Sequence, residues 1–157
     1  MKKLPVCLLM LLLLSACSGS GSVVKKGWQN TETTIAIKDM TAKDFNLMDA
    51  GARLQNALEE KIGHSAYSLA GDDARYALKF KILSFDEGSR VLRIASLGLS
   101  DSAKSKLSVK VGLFHDGTLV GAWTVDSWVK GGPMGGTTIE LFGKAADEIM
   151  QHLKGDR

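Results

Sequence analysis

The amino-acid sequence predicts an α+β domain: a mainly antiparallel sheet of about four to five strands with two amphipathic helices on one face. Three observations carry this expectation. Residues 74–85, 105–114 and 119–129 alternate apolar and polar side chains, the period-two signature of half-buried strands. The turn sequence His115-Asp116-Gly117-Thr118 joins the last two. Two stretches, Leu47 to Ile62 and Ile139 to Leu153, repeat apolar residues every three or four positions, as one-sided helices do.

The chain has 157 residues, 45% apolar and 24% charged, the balance of one ordinary globular domain. Without Lys2 and Lys3 the 20 basic residues fall to 18, against 17 acidic ones. That near-neutrality gives no reason to expect nucleic acid as a partner.

At the N-terminus, "MKKLPVCLLMLLLLSAC" joins a charged start to an apolar stretch, Leu4 to Leu14, too short to span a bilayer comfortably. Leu14-Ser15-Ala16-Cys17 then resembles the lipobox of bacterial lipoproteins. The resemblance implies cleavage of a signal peptide, residues 1–16, and attachment of a diacylglyceryl group and a further acyl chain, such as palmitate, to Cys17. Two or three acyl chains hold a protein on a membrane stably. Ser18, in place of an aspartate, implies the outer membrane and its periplasmic face. Cys7 is lost with the signal, so the remaining chain has no partner for a disulfide. Residues 17–32, which include "SGSGSVVKKGWQNTE", read as the lipidated cysteine and a flexible tether. Lys25, Lys26 and Trp28 are either membrane-interface contacts or parts of a solvated tether.

Residues 33–157 read as a single α+β periplasmic domain. "TTIAIKD", 33–39, is β-branched and alternating, a first strand. Asn46 is a helix cap, Leu47, Gly51, Leu54, Leu58 and Ile62 the buried stripe, and Gly63 the stop. "SAYSLA" is a short strand. In 74–85, Tyr76, Leu78, Phe80 and Ile82 share one face, with Lys79 and Lys81 on the other. Leu107, Val109, Val111 and Leu113 mark the next strand. Its hairpin partner turns Trp123, Val125, Ser127 and Val129 to one face and Trp128 to the other. Thr137 and Glu140 form a T-x-x-E capping box for the last helix, whose apolar face is Ile139, Phe142, Ala146, Ile149 and Leu153.

Signals of chemistry are sparse. His64, His115 and His152 form no pair at metal-ligand spacing, and no cysteine ligand accompanies them. "KGGPMGGTT", 130–138, precedes a helix, but its lysine comes before the glycines, unlike a phosphate-binding loop. There is no G-x-S-x-G elbow. The expectation is no catalytic residue, no metal, no cofactor and no enzymatic activity.

The stretch Ala74–Leu153 resembles family 4410 of the domains of unknown function, which are mostly lipidated envelope proteins of Gram-negative bacteria. The matching positions are Gly88, Ser89, Arg90, Arg93, Gly98 and Lys104; Ser100 to Ala103 depart from the pattern. The resemblance implies a compact periplasmic α+β domain with no known activity. It also draws attention to the apolar connection 87–104. Arg90, Val91, Leu92, Arg93, Ile94, Leu97 and Leu99 would form a partner-docking loop, close one end of the core, or touch the membrane.

The functional expectation is therefore an outer-membrane-anchored lipoprotein, a non-enzymatic accessory or scaffold component of a cell-envelope assembly. Its partners would be the membrane, through Cys17, and an envelope protein of unknown identity; a homo-oligomer stays open. The alternative is a periplasmic ligand- or lipid-binding lipoprotein with a pocket between sheet and helices, lined by Trp123, Phe80 and Phe142. A third reading, an enzyme using Arg90, Arg93 and His115, needs those residues to converge.

Overall fold

The computed structural model describes residues 18–43, 45–71, 74–88, 104–130 and 136–155. Its elements are β1 (Ser18–Lys26), β2 (Thr34–Asp39), α1 (Phe45–Gly63), β3 (Ser68–Leu69), β4 (Tyr76–Asp86), β5 (Lys104–His115), β6 (Thr118–Lys130) and α2 (Thr138–His152). The α+β class holds. The sheet differs from expectation in having six strands, in the order β1-β6-β5-β4-β2-β3, and in being mixed.

The antiparallel part is the one the alternation marks: β4 pairs with β5, and β5 with β6. Asp116 and Gly117 make the β5–β6 turn with φ of 47° and 80°, the left-handed values that this two-residue turn requires. The parallel part arises because α1 lies between β2 and β4. A helical crossover returns the chain in its original direction, so β2 pairs parallel with β4, Ile35 opposite Tyr76, and with β3.

The sixth strand comes from residues expected to be a tether. Ser18–Lys26 pairs antiparallel with β6, Ser18 opposite Val129 and Val23 opposite Thr124. Ser18, Ser20 and Ser22 face α2, and their hydroxyls bond its carboxylates. Trp28 is not at a membrane interface either. It is 8% exposed and stacks on Trp123. Beyond it, Gln29 bridges Gly155 and the Asn30 amide donates to the Lys154 carbonyl, so the start of the domain is fastened to its end.

One core lies between the sheet and the two helices. Ala50, Leu54, Leu58 and Ile62 of α1 and Leu141, Phe142, Ala145, Ala146 and Ile149 of α2 are buried against Leu78, Phe80, Ile82, Val109, Val111, Trp123 and Val125. Asn46 lies inside α1, not at its cap. Ile139 is 84% exposed, although the spacing placed it on the buried face. It belongs to the first turn of α2, and Leu141 and, one turn on, Ala145 meet the core instead. Thr137 caps that helix, its hydroxyl accepting from the Glu140 amide at 3.3 Å. The Glu140 carboxylate looks outward, accepting from Ser18 and pairing with Lys144.

Candidate functional site

Both helices cover the same face of the sheet, and no helix among the described residues covers the other face. The register brings its polar side chains into cross-strand rows. Lys38 lies opposite Lys79, Lys81 opposite Lys110, and Lys104 opposite Lys130. Lys106 lies opposite both Asp86 and Trp128. Seven lysines thus share this face of β2, β4, β5 and β6 with two acids, Asp86 and Asp126. Like charges directly opposite each other destabilise a sheet, so three such pairs are not explained by folding stability. Between them lies an apolar cleft of about 340 Å³, with Met40, Phe114, Leu119 and Ala122 at its floor and Lys79, Lys81 and Lys110 at its rim. The Lys79 ammonium sits 4.2 Å from the centre of the Phe114 ring, a cation–π contact. Toward one end, Lys104, Lys106, Asp126 and Trp128 line a second cleft of about 330 Å³. The Trp128 indole lies over Gly19 and is 38% exposed.

The opposite side of the molecule has the opposite charge. The sequences of α1 and α2 carry six acids (Asp49, Glu59, Glu60, Glu140, Asp147 and Glu148) against three bases (Arg53, Lys61 and Lys144). A groove of about 470 Å³ runs between the helices, lined by Arg53, Asn56, Ala57, Glu60, Ile139 and Phe142.

A serine, a histidine and a carboxylate meet where β1 crosses α2. The Ser22 hydroxyl donates to Glu148 Oε1 at 2.7 Å and lies 2.5 Å from His152 Nε2. Glu148 Oε1 is 3.5 Å from the same Nε2. The Ser22 hydroxyl and the Glu148 carboxylate both approach the same ring nitrogen, whose donor or acceptor role follows the tautomer, and the carboxylate is at Nε2 rather than Nδ1. A nucleophilic serine needs Nε2 bare and a carboxylate at Nδ1. The arrangement is therefore a clasp between strand and helix. Ser20 adds to it with a 3.1 Å bond to Glu148 Oε2.

His115 sits at the far end of β5, stacked on Tyr76 and 2.9 Å from Arg75. Arg75 also contacts Glu32 and Asp116, each at 3.4 Å. The docking-loop residues Arg90, Val91, Leu92, Arg93, Ile94, Leu97 and Leu99 lie outside the described residues, as does Cys17. The loop's stems are described. Gly88 follows β4, with φ of 69° and its amide held by Asp86, and the Ser105 hydroxyl donates to the Glu87 carbonyl. These stems and His115 occupy opposite ends of the β4–β5 ladder, on the order of 35 Å apart at the rise of a strand.

Trp123, Phe80 and Phe142, named for a pocket between the layers, are all buried in the core. Phe142 packs on Phe85 and Trp123 on Trp28. The clefts described above open on the outer surfaces. Among the described residues, no group of three or more His, Cys, Asp or Glu could hold a metal ion, and no helix is long and apolar enough to cross a membrane. Burial raises the Tyr67 phenol above its ordinary value of 10.0. The site features that sequence reasoning missed are the lysine pairs and the Ser22–Glu148–His152 clasp. Both depend on register between distant segments.

No family model matches the chain, so family 4410 gains no support, and no curated protein matches it. Among solved structures, the PelC dodecamer from Paraburkholderia phytofirmans is similar with a TM-score of 0.57 at 12% identity, over 88% of this chain and 99% of that one. A minor lipoprotein from Acinetobacter baumannii gives 0.43 at 10% identity, over 78% and 90%. A Xanthomonas campestris protein assigned to DUF330 gives 0.48 at 12% identity, over 82% of each chain. At these identities the similarity to PelC is one of fold.

Proposed function

We propose that the chain is an outer-membrane lipoprotein facing the periplasm, a non-enzymatic scaffold component of a cell-envelope assembly that associates with further copies of itself. The observation that carries the reading is the junction at Cys17. The lipobox ends there and β1 begins at Ser18, so the acyl-bearing residue is the immediate neighbour of a sheet strand. Consecutive Cα atoms are about 3.8 Å apart, so an acyl group on Cys17 would be one residue removed from the strand. The fold shared with a dodecameric protein supports self-association. The polar clusters made by the described histidines have structural explanations, which favours a scaffold over a catalyst.

The test is mass spectrometry of the membrane-extracted protein together with its Cys17→Ser variant. The expected result is an N-terminal peptide beginning at acylated Cys17, with the variant released from outer-membrane fractions. An unmodified Cys17 in a soluble mature chain would refute the anchor.

A further inference from the structure

The open sheet face and the outer helical layer are complementary in charge and in shape. One carries seven lysines against two acids around an apolar cleft. The other carries an excess of acids and presents Ile139, 84% exposed, and Met48, 50% exposed. We propose that the lysine-rimmed sheet face of one copy seats on the acidic helical layer of the next, giving a head-to-tail assembly. This rests on the self-association and anchoring read above.

Three arguments select a second copy as the occupant. First, the lysine face cannot meet its own equivalent, because lysine would oppose lysine, so the contact is not a two-fold one. The two surfaces lie on opposite sides of a two-layer domain, which makes the contact heterologous: it repeats until it closes into a ring or extends as a filament. Second, the area is adequate. β5 has 12 residues, on the order of 40 Å of strand, and four strands span roughly 15–20 Å, or about 600–800 Å². A stable interface buries about 800 Å² per partner. Third, the anchor leaves both surfaces accessible. β1, which begins at Ser18 next in sequence to Cys17, is an edge strand of the sheet and contributes to neither surface. Copies standing on one membrane then meet sheet to helix, side by side.

The register also suggests which groups meet. Lys81 and Lys110, directly paired, flank the cleft floored by Phe114 and Leu119. Glu60 lines the inter-helix groove with Ile139, and Asp147 pairs with Lys61 nearby on the helical layer. The exposed Ile139, in a groove that also holds Glu60 and Arg53, fits an apolar cleft rimmed by ammonium groups, with Glu60 as the acid nearest to it in that groove. Such contacts weaken with salt.

The experiment uses the full acylated chain in mild detergent, with association read by native mass spectrometry and sedimentation. Lys81→Glu/Lys110→Glu and Glu60→Lys/Asp147→Lys each place like charges at the contact. Each is expected to weaken association at least tenfold while leaving the circular dichroism unchanged. A chain carrying all four changes restores opposite charges and is expected to reassemble, as is a mixture of the two double variants. A monomeric parent protein would refute the self-association reading itself. A parent that assembles alongside double variants that assemble equally well would refute only this surface assignment. So would failure of the four-change chain to recover. Variants that assemble normally but lose retention on polyglutamate would reassign the lysine face to an acidic polymer and overturn the proposal.

Discussion

Trp28 lies flat on Trp123, with ring centroids 4.5 Å apart and planes inclined by 13°. The pair joins the segment after β1 to the centre of β6, and His152 of α2 tilts against both rings. The Trp28 indole N–H points to the Leu153 carbonyl at 3.4 Å. Three separate parts of the chain therefore converge on one aromatic stack.

Removing Trp28 should cost about as much as other large-to-small changes at buried aromatics, roughly 3–5 kcal/mol for Trp28→Ala. Trp28→Phe keeps most of the packing and should cost less than half of that. Urea unfolding followed by far-ultraviolet circular dichroism checks both. Equal effects from the two variants would mean that the stack itself contributes little.

Two glycines under tryptophans make a matched comparison. A Cβ at Gly121 would come within 2.4 Å of the Trp28 ring, and one at Gly19 within 2.3 Å of the Trp128 ring. Trp28 is buried and fixed, whereas Trp128 is partly exposed and has solvent to move into. Gly121→Ala is expected to destabilise by about 1–3 kcal/mol, the usual cost of overpacking. Gly19→Ala should cost clearly less, and it should shift Trp128 emission to the red. Comparable losses of stability at the two sites would contradict this account.

Tyr67 gives the pH prediction. Its phenol is raised by burial in the fold, so the native state holds its proton more tightly than the unfolded chain does. Below the ordinary value of 10.0 both states are protonated, and stability does not depend on this group. Above it the unfolded chain loses the proton first, and stability falls as pH rises toward the folded value. Tyr67→Phe should flatten the stability profile above about pH 10 relative to the parent and leave it unchanged near neutrality. Parallel profiles throughout would exclude the effect.

How much of this was legible depends on where each signal is stored. Tyr76, Leu78, Phe80 and Ile82 declare their strand because alternation is local, and Asp116-Gly117 declares its turn because the dihedrals demand those residues. β1 gives no comparable apolar signal. In "SGSGS" the inward positions are serines that bond Glu140 and Glu148, and the outward ones are glycines, one of them lying beneath Trp128. The parallel pairing of β2 with β4 follows from the path of α1, which periodicity does not encode. Ile139 has the right spacing but stands in the first turn of α2, where Leu141 and Phe142 take the buried side. The lysines of the open face are plain in each strand, yet their meeting in pairs is a property of register.

The order in which the chain emerges gives β1 a further significance. Of the described strands the first to be made is paired with the last, Ser18 with Val129, and is clasped by residues of the final helix. Long-range contacts of this kind form late, because the intervening chain must close before they are rewarded. Until β1 docks, β6 is the edge of the sheet, with its outward backbone amides and carbonyls unpaired. An unpaired edge of that length is a template for strands of other chains. The strand made first is thus also the one that seals the nascent domain, and a chain stalled before α2 is complete would leave that seam open to its neighbours.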